Sequence, residues 1–300
     1  MRFKDIIRQP IPVLFVIFLG WVLPRKIGWK IAGLIGIILG SFKNTQMVKA
    51  IRANQWVIHE KQLSQEHLDK VPRIVFKTSA KCIFDFFHYL SRPNKLKEVV
   101  FFSPEAQETI DRIRNNQPCV VVCPHLSNFE LMGYALAIND VRVQILSVPN
   151  PVFTYKMQNQ LRETLGMYVT PINLSSFRQA RNRLREGGSV LTGLDRPLND
   201  KQLEKYQPEF FGHRANLPVA YVRMAKEAGV PVFIMATTTR PDGRYCLEGT
   251  GPIFMDTYDN LETEIMSNVN KVLSKAEVLI KENPYQWSMF YPVWPQFLGV

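Results

Sequence analysis

The chain has 300 residues, 46% of them apolar, with no repeat or low-complexity tract, which suits one large folded domain or two small ones and excludes a disordered chain. Lysine and arginine exceed aspartate and glutamate by 37 to 26, a net charge of +11, and +7 of it falls in the first 50 residues, where Arg2, Lys4, Arg8, Arg25, Lys26, Lys30, Lys43 and Lys49 face Asp5 alone. A basic end of this kind seeks an acidic surface, and the apolar runs between its charges favour anionic lipid over nucleic acid.

Two such runs, Ile11 to Leu23 and Ile31 to Gly40, open the chain. Neither reaches the roughly 17–25 apolar residues that a straight helix needs to cross a bilayer. Prolines at 10, 12 and 24 bound the first run, and Arg25, Lys26 and Lys30 separate it from the second. No small-residue cleavage site follows, and the charges after the run oppose export, so a signal peptide is disfavoured. Residues 1–42 are therefore expected to form helices in or on the cytoplasmic leaflet, anchored by Trp21, Trp29 and the flanking lysines, with a pair of buried core helices or one short span with interfacial ends as the alternatives. Gly36-x-x-x-Gly40 is a weak helix-packing signal.

Residues 45–90 carry apolar side chains at helical spacing: Met47, Ile51, Trp56, then Phe76, Ile83, Phe84 and Phe87. From about residue 99 strands and helices alternate. Cys119 to Cys123 is a short continuous apolar run, as buried parallel strands are. The pattern then predicts a helix over 128–138, a strand over 141–148, a helix over 153–165 and a strand over 168–172. A helix over 175–185, a strand over 189–194, a helix over 217–228 and a strand over 232–237 follow. A turn at Pro241-Asp242-Gly243 precedes a strand over 245–249, and a helix over 261–281 stops at Asn283-Pro284. The expected fold is α/β, a single globular domain with a mixed, mostly parallel central sheet flanked by helices, plus an amino-terminal membrane-associated helical segment. The boundary falls between residues 1–45 and 46–300. Cys82, Cys119, Cys123 and Cys246 form no CxxC pair and suit a reducing compartment, with no disulfide framework or zinc site.

His125 stands between a buried strand and a helix start, at the end of a strand where open α/β sheets place their chemistry. A neutral imidazole there can take a proton from an alcohol. On one helix His125 and Glu130 would lie about 140° apart. They can meet only with His125 in the loop and Glu130 in the first helical turn, where the carboxylate would fix the ring's tautomer. The competing reading of Ser127-Asn128-Phe129-Glu130 is a capping box. His59, His67 and His88 have no partners at useful spacing, and Arg178, Arg181 and Arg185 read as a solvated stripe.

His125-Leu126-Ser127-Asn128-Phe129-Glu130 resembles the HxxxxD/E signature of the glycerolipid and lysophospholipid acyltransferase superfamily. More narrowly, it resembles the bacterial lipid A lauroyl/myristoyl acyltransferases, whose usual string is H-x-G-N-W-E. Here Ser127 replaces the glycine and Phe129 the tryptophan. Gln160-Leu161-Arg162, then Leu184 to Gly188 with Asp195-Arg196-Pro197, then Phe211-Gly212-His213-Arg214-Ala215, resemble further blocks in the same order, from about residue 10 to residue 295. The carboxyl-terminal block, Pro284 to Trp294, keeps P-x-Q-W. It lacks the second tryptophan and basic tail of lipid A enzymes, and so is closer to members that acylate other glycolipids.

The resemblance implies His125 as general base and Glu130 as its catalytic partner. It implies Arg162 as holding a phosphate or carbonyl group of a substrate, Asp195 as completing the polar network, and Asn128 as a further substrate-binding position. It implies direct acyl transfer, with no cofactor and no metal, from a thioester on acyl carrier protein or coenzyme A to a lipid or glycolipid hydroxyl. The place implied is the cytoplasmic face of a bacterial plasma membrane. No G-x-S-x-G elbow is present, in keeping with transfer without an acyl-enzyme. The alternative is a catalytically inactive lipid-binding protein of the same fold.

Overall fold

The computed structural model describes residues 10–149, 153–198 and 206–300. The basic residues Arg2, Lys4 and Arg8 lie outside them. A seven-stranded sheet forms the centre, built from β1 (Val100–Phe102), β2 (Val120–Cys123), β3 (Val143–Ser147), β4 (Tyr168–Pro171), β5 (Ser189–Gly193), β8 (Val232–Thr239) and β9 (Tyr245–Ile253). The order across the sheet is β1-β9-β8-β2-β5-β3-β4, and every pairing is parallel except the β8–β9 hairpin. A two-stranded ribbon, β6 (Glu209–Phe210) and β7 (His213–Arg214), stands apart.

All four residues of β2 and all five of β3 are buried, because both faces of the sheet are covered. Val120 and Val122 point to one face. There they meet α9 (Leu174–Arg185), α10 (Ala220–Ala228) and α11 (Leu261–Glu282) through Leu184, Tyr221, Val272 and their neighbours. Cys119, Val121 and Cys123 point to the other face, against α6 (Pro104–Arg114) and α7 (Phe129–Ile138). The mostly parallel α/β sheet expected from the alternation is present. The expectation omitted β1, α6 and the β6–β7 ribbon, whose strands of two or three residues are too short to show a period. The 217–228 helix begins only at Ala220, since Pro218 disfavours helical backbone at Leu217.

The amino-terminal region forms α1 (Pro10–Val22) and α2 (Arg25–Gly40), followed by α3 (Gln46–Ile58) and the long α4 (Gln65–Leu90). Among the described residues no helix is long and apolar enough to cross a membrane. The buried residues of α2 are glycines, Gly28, Gly33, Gly36 and Gly40. A Cβ on Gly36 would sit 2.5 Å from the Phe76 carbonyl oxygen, and one on Gly40 would sit 2.6 Å from the Arg73 Cα. This stripe lets α2 lie directly on the backbone of α4. Gly36→Leu will push the helices apart and lower stability by about 1–3 kcal/mol. Urea denaturation checks this, and an unchanged midpoint would mean that the two helices do not pack as described.

Three polar ties hold the same region. Arg92 donates to the carbonyls of Gly20 and Trp21 at the end of α1. His88 Nδ1 lies 2.9 Å from the Gly20 carbonyl. Arg25, at the start of α2, forms an ion pair of 2.6 Å with the fully buried Asp85 of α4. Trp29 donates its indole N–H to the same carboxylate at 2.8 Å and is partly buried. Trp29 is therefore turned into the protein rather than outward as an interfacial anchor. Trp21, 62% exposed, remains outward.

Candidate active site

Strands β2 and β5 are adjacent and parallel, with Cys123 opposite Gly193, so their carboxyl ends open at one edge of the sheet. The connection from β2 leads toward β3 on one side and that from β5 toward β8 on the other, which makes this edge a topological switch point. His125 follows β2 and Asp195 follows β5. His125 Nδ1 lies 2.6 Å from Asp195 Oδ1, and the His125 backbone N–H donates to Asp195 Oδ2 at 2.8 Å. The Trp287 indole N–H donates to that same oxygen at 2.7 Å. Asp195 is fully buried, whereas the His125 side chain is 20% exposed. With Nδ1 directed at the carboxylate, a neutral ring carries its lone pair on Nε2.

The partner of His125 is thus Asp195, and the expected pairing with Glu130 is replaced. Glu130 does lie in the first turn of α7, but its carboxylate accepts from Arg162 of α8 (Phe153–Thr164). Both side chains of this ion pair are largely buried, at 12% and 17% exposure. Arg162 also donates to Asn159 Oδ1 at 2.8 Å, and Asn159 Nδ2 donates to Ser147 at the end of β3. Glu130 and Arg162 are brought together, as are His125 and Asp195, each pair spanning two elements.

The corner between β2 and α7 explains the difference. Ser127 has φ +48°, in the left-handed region, which accounts for a glycine being usual at this position. The helix is capped one residue later, by Asn128 Oδ1 accepting from the Leu131 N–H. Ser127 instead shares a hydrogen bond with Thr239, so no capping box forms and Glu130 is free for Arg162. Asn128 is buried and its Nδ2 donates to the Cys82 carbonyl. Its side chain is thus occupied within the corner, although a substrate-binding position was expected of it. Asp195, equally buried, has its carboxylate occupied by His125 and Trp287.

The carboxyl-terminal block closes the corner from behind. The Gln286 carbonyl accepts from Ser127 N–H at 2.7 Å and the Ser288 N–H donates to the His125 carbonyl at 2.8 Å. Gln286 also grips both backbone groups of Thr239. Trp287 packs against Phe210 and Phe211. Sequence reasoning missed Trp287 as a site residue. The available signal was general: a fully buried tryptophan needs an acceptor for its N–H. On the open side, the Phe129 ring meets the imidazole edge-on at 4.9 Å between centroids. A Cβ on Gly193 would lie 3.3 Å from His125 Cε1, so the glycine leaves the ring its place.

Comparison with known families matches residues 6–296, nearly the whole chain, to the bacterial lipid A biosynthesis acyltransferases. The chain belongs to that family. A lipid A acyltransferase is an acyl-transferring enzyme that uses an acyl donor and a lipid acceptor. Comparison with curated proteins gives no match.

The remaining histidines of this acyltransferase lie outside the His125 cluster. His59 Nδ1 lies 2.8 Å from the Gln55 carbonyl within its own helix, and His88 holds Gly20. Arg178 and Arg185 are exposed, and Arg181 pairs with Glu227. Cys82, Cys119, Cys123 and Cys246 are buried and free. Burial pushes the Cys82 thiol up to about 12, so it is not a nucleophile at neutral pH. Among the described residues no cluster of three or more metal-ligating side chains occurs. A cavity of about 340 Å³ lined by Lys61, Phe211, His213, Glu277 and Lys281 does not reach His125.

Proposed function

We propose that the protein is an O-acyltransferase that moves a fatty acyl chain from a thioester to a hydroxyl of a lipid or glycolipid, with His125 as general base. The observation that carries this is the partly exposed imidazole whose Nδ1 is held by the buried Asp195. His125 Nε2 takes the hydroxyl proton as the oxygen attacks the thioester carbonyl. The positive charge that forms on the ring is stabilised by the Asp195 carboxylate beneath it. When the tetrahedral adduct collapses, the carbon–sulfur bond breaks and the imidazolium returns its proton to the leaving thiolate. No acyl-enzyme and no cofactor enter the scheme. Glu130 acts through Arg162, holding the guanidinium at the wall of the site.

The donor is carried by acyl carrier protein or coenzyme A. The reaction takes place at the cytoplasmic face of the plasma membrane, and the amino-terminal segment holds the enzyme there. An exposed apolar face supports this reading. Leu14, Phe15, Phe18 and Trp21 on α1 and Ile27, Leu34, Ile35 and Ile38 on α2 are all 48% exposed or more. A face of this extent calls for an apolar partner. The exposed Lys26 and Lys30 beside it suit an anionic lipid surface.

The test is transfer of radiolabelled acyl chain from an acyl thioester to total bacterial lipid. Wild-type protein labels one lipid class and His125→Ala labels none. Labelling that survives in the variant would remove the mechanism. No transfer by the wild type would favour the inactive lipid-binding protein, and release of free fatty acid would identify a hydrolase.

A further inference from the structure

Arg162 and Arg196 both stand near the site residues, and among the described residues only Arg162 has a carboxylate partner. Arg162 is occupied by Glu130 and Asn159. Arg196 directly follows Asp195, one residue beyond the carboxylate that holds the imidazole. Its guanidinium carbon lies 4.4 Å from the centroid of the Tyr291 ring, and its Nη2 donates to the Tyr291 hydroxyl at 2.9 Å. Among the described residues no carboxylate pairs with Arg196, and Tyr291 is 42% exposed. A guanidinium presents five donors in a planar fork, and among the described residues this one spends a single donor, on Tyr291. Stacking on the ring fixes the plane of the fork and leaves its other edge for an incoming anion.

A third group joins them. Tyr155, on α8 with Arg162, has Glu130, Arg196, Tyr291 and Arg162 all close enough to act on its phenol. Burial first, and the Glu130 carboxylate next, raise that phenol above its ordinary value, so it stays protonated and able to donate. A cation with no carboxylate partner among the described residues and two phenols therefore stand near one another, beside the residue that holds the imidazole. A phosphate, with several acceptor oxygens, is the group that such donors fit.

We propose that Arg196, seated on Tyr291, binds a phosphate group of a substrate during acyl transfer. The inference rests on the transferase reading above. Both donor types present their thioester on a phosphopantetheine arm, and a glycolipid acceptor can carry phosphate of its own, so the chemistry is shared by two sources.

The experiment separates them, using the full chain. In the turnover-blocked His125→Ala protein, octanoyl-phosphopantetheine and octanoyl-pantetheine are titrated to equilibrium. If the donor phosphate is held, the phosphorylated thioester binds about tenfold tighter or more, and Arg196→Gln removes that ratio while Arg196→Lys keeps part of it. If the acceptor phosphate is held, the donor ratio does not respond to Arg196→Gln. Instead, in the active protein, Arg196→Gln raises the KM for a phosphorylated diglucosamine lipid about tenfold and leaves that for its dephosphorylated form unchanged. Either result supports the proposal. Two ratios indifferent to Arg196→Gln would overturn it while leaving the transferase reading intact. Failure of both thioesters to bind, together with no transfer by the wild type, would remove both.

Discussion

Asparagine in place of Asp195 is expected to slow acyl transfer on the order of a hundred- to ten-thousandfold, the range that properly oriented general base catalysis supplies. Asp195 accepts three hydrogen bonds, from the His125 ring, the His125 backbone and Trp287. An asparagine can keep its one oxygen for the His125 and Trp287 N–H groups and turn its NH2 to the ring, which then holds the tautomer with its proton on Nε2, where a general base needs a lone pair. The imidazolium also loses the negative charge that balances it. The loss should fall on kcat with little change in either KM, because a fully buried side chain contacts neither substrate. Steady-state rates checked beside a thermal melt separate this from unfolding. A variant that melts normally and transfers at a rate within threefold of wild type would contradict the assignment.

The second large effect is on stability. Asp85→Ala is expected to cost about 3–5 kcal/mol, the usual consequence of removing one partner of a buried ion pair. Asp85 is fully buried, accepts from Arg25, Trp29 and Tyr245, and so joins α2, α4 and β9 at one point. Burial first, with the neighbouring Cys82 and Asp85 after it, pushes the Tyr245 phenol well above its ordinary value, so it remains a donor to this carboxylate. Without Asp85 the Arg25 guanidinium, itself mostly buried, keeps the Gly243 carbonyl as its one hydrogen-bond acceptor among the described residues, and the face of Trp29. Asp85→Asn keeps an acceptor oxygen and should lose less. Denaturant unfolding measures both, and a cost under about 1 kcal/mol for alanine would show that the clamp does not hold the amino-terminal helices.

From residue spacing alone the site was legible only where it is local; Arg162 and Asp195 came from the family resemblance. His125 at a strand-to-helix corner follows from a five-residue apolar run, a proline and the start of a helical period. Its true partner is 70 residues away, and reaching it requires knowing that β5 returns to lie beside β2 after β3 and β4 have intervened. Strand order is set by packing across the whole sheet, and no window of sequence contains it. Trp287 is more remote still, 92 residues from Asp195. Glu130 misled because five positions of spacing permit contact without requiring it, and the left-handed Ser127 moves the cap to Asn128. Asp85 could have been found. A lone carboxylate in Cys82-Ile83-Phe84-Asp85-Phe86-Phe87 cannot be buried without partners, and Arg25 and Trp29 were both at hand. The charge count near the amino terminus likewise needs revision, since among the described residues Arg25 serves Asp85 and Lys43 pairs with Asp69.

The most direct measurement is the rate of acyl transfer by His125→Ala, Asp195→Asn and the double variant under one set of conditions. Two groups that act as a unit are not additive. The double variant should therefore be no slower than His125→Ala alone, because Asp195 has nothing left to orient. An Asp195→Asn penalty of the same size with and without the imidazole would mean that the carboxylate works independently of His125, and the proton-transfer pair would have to be abandoned.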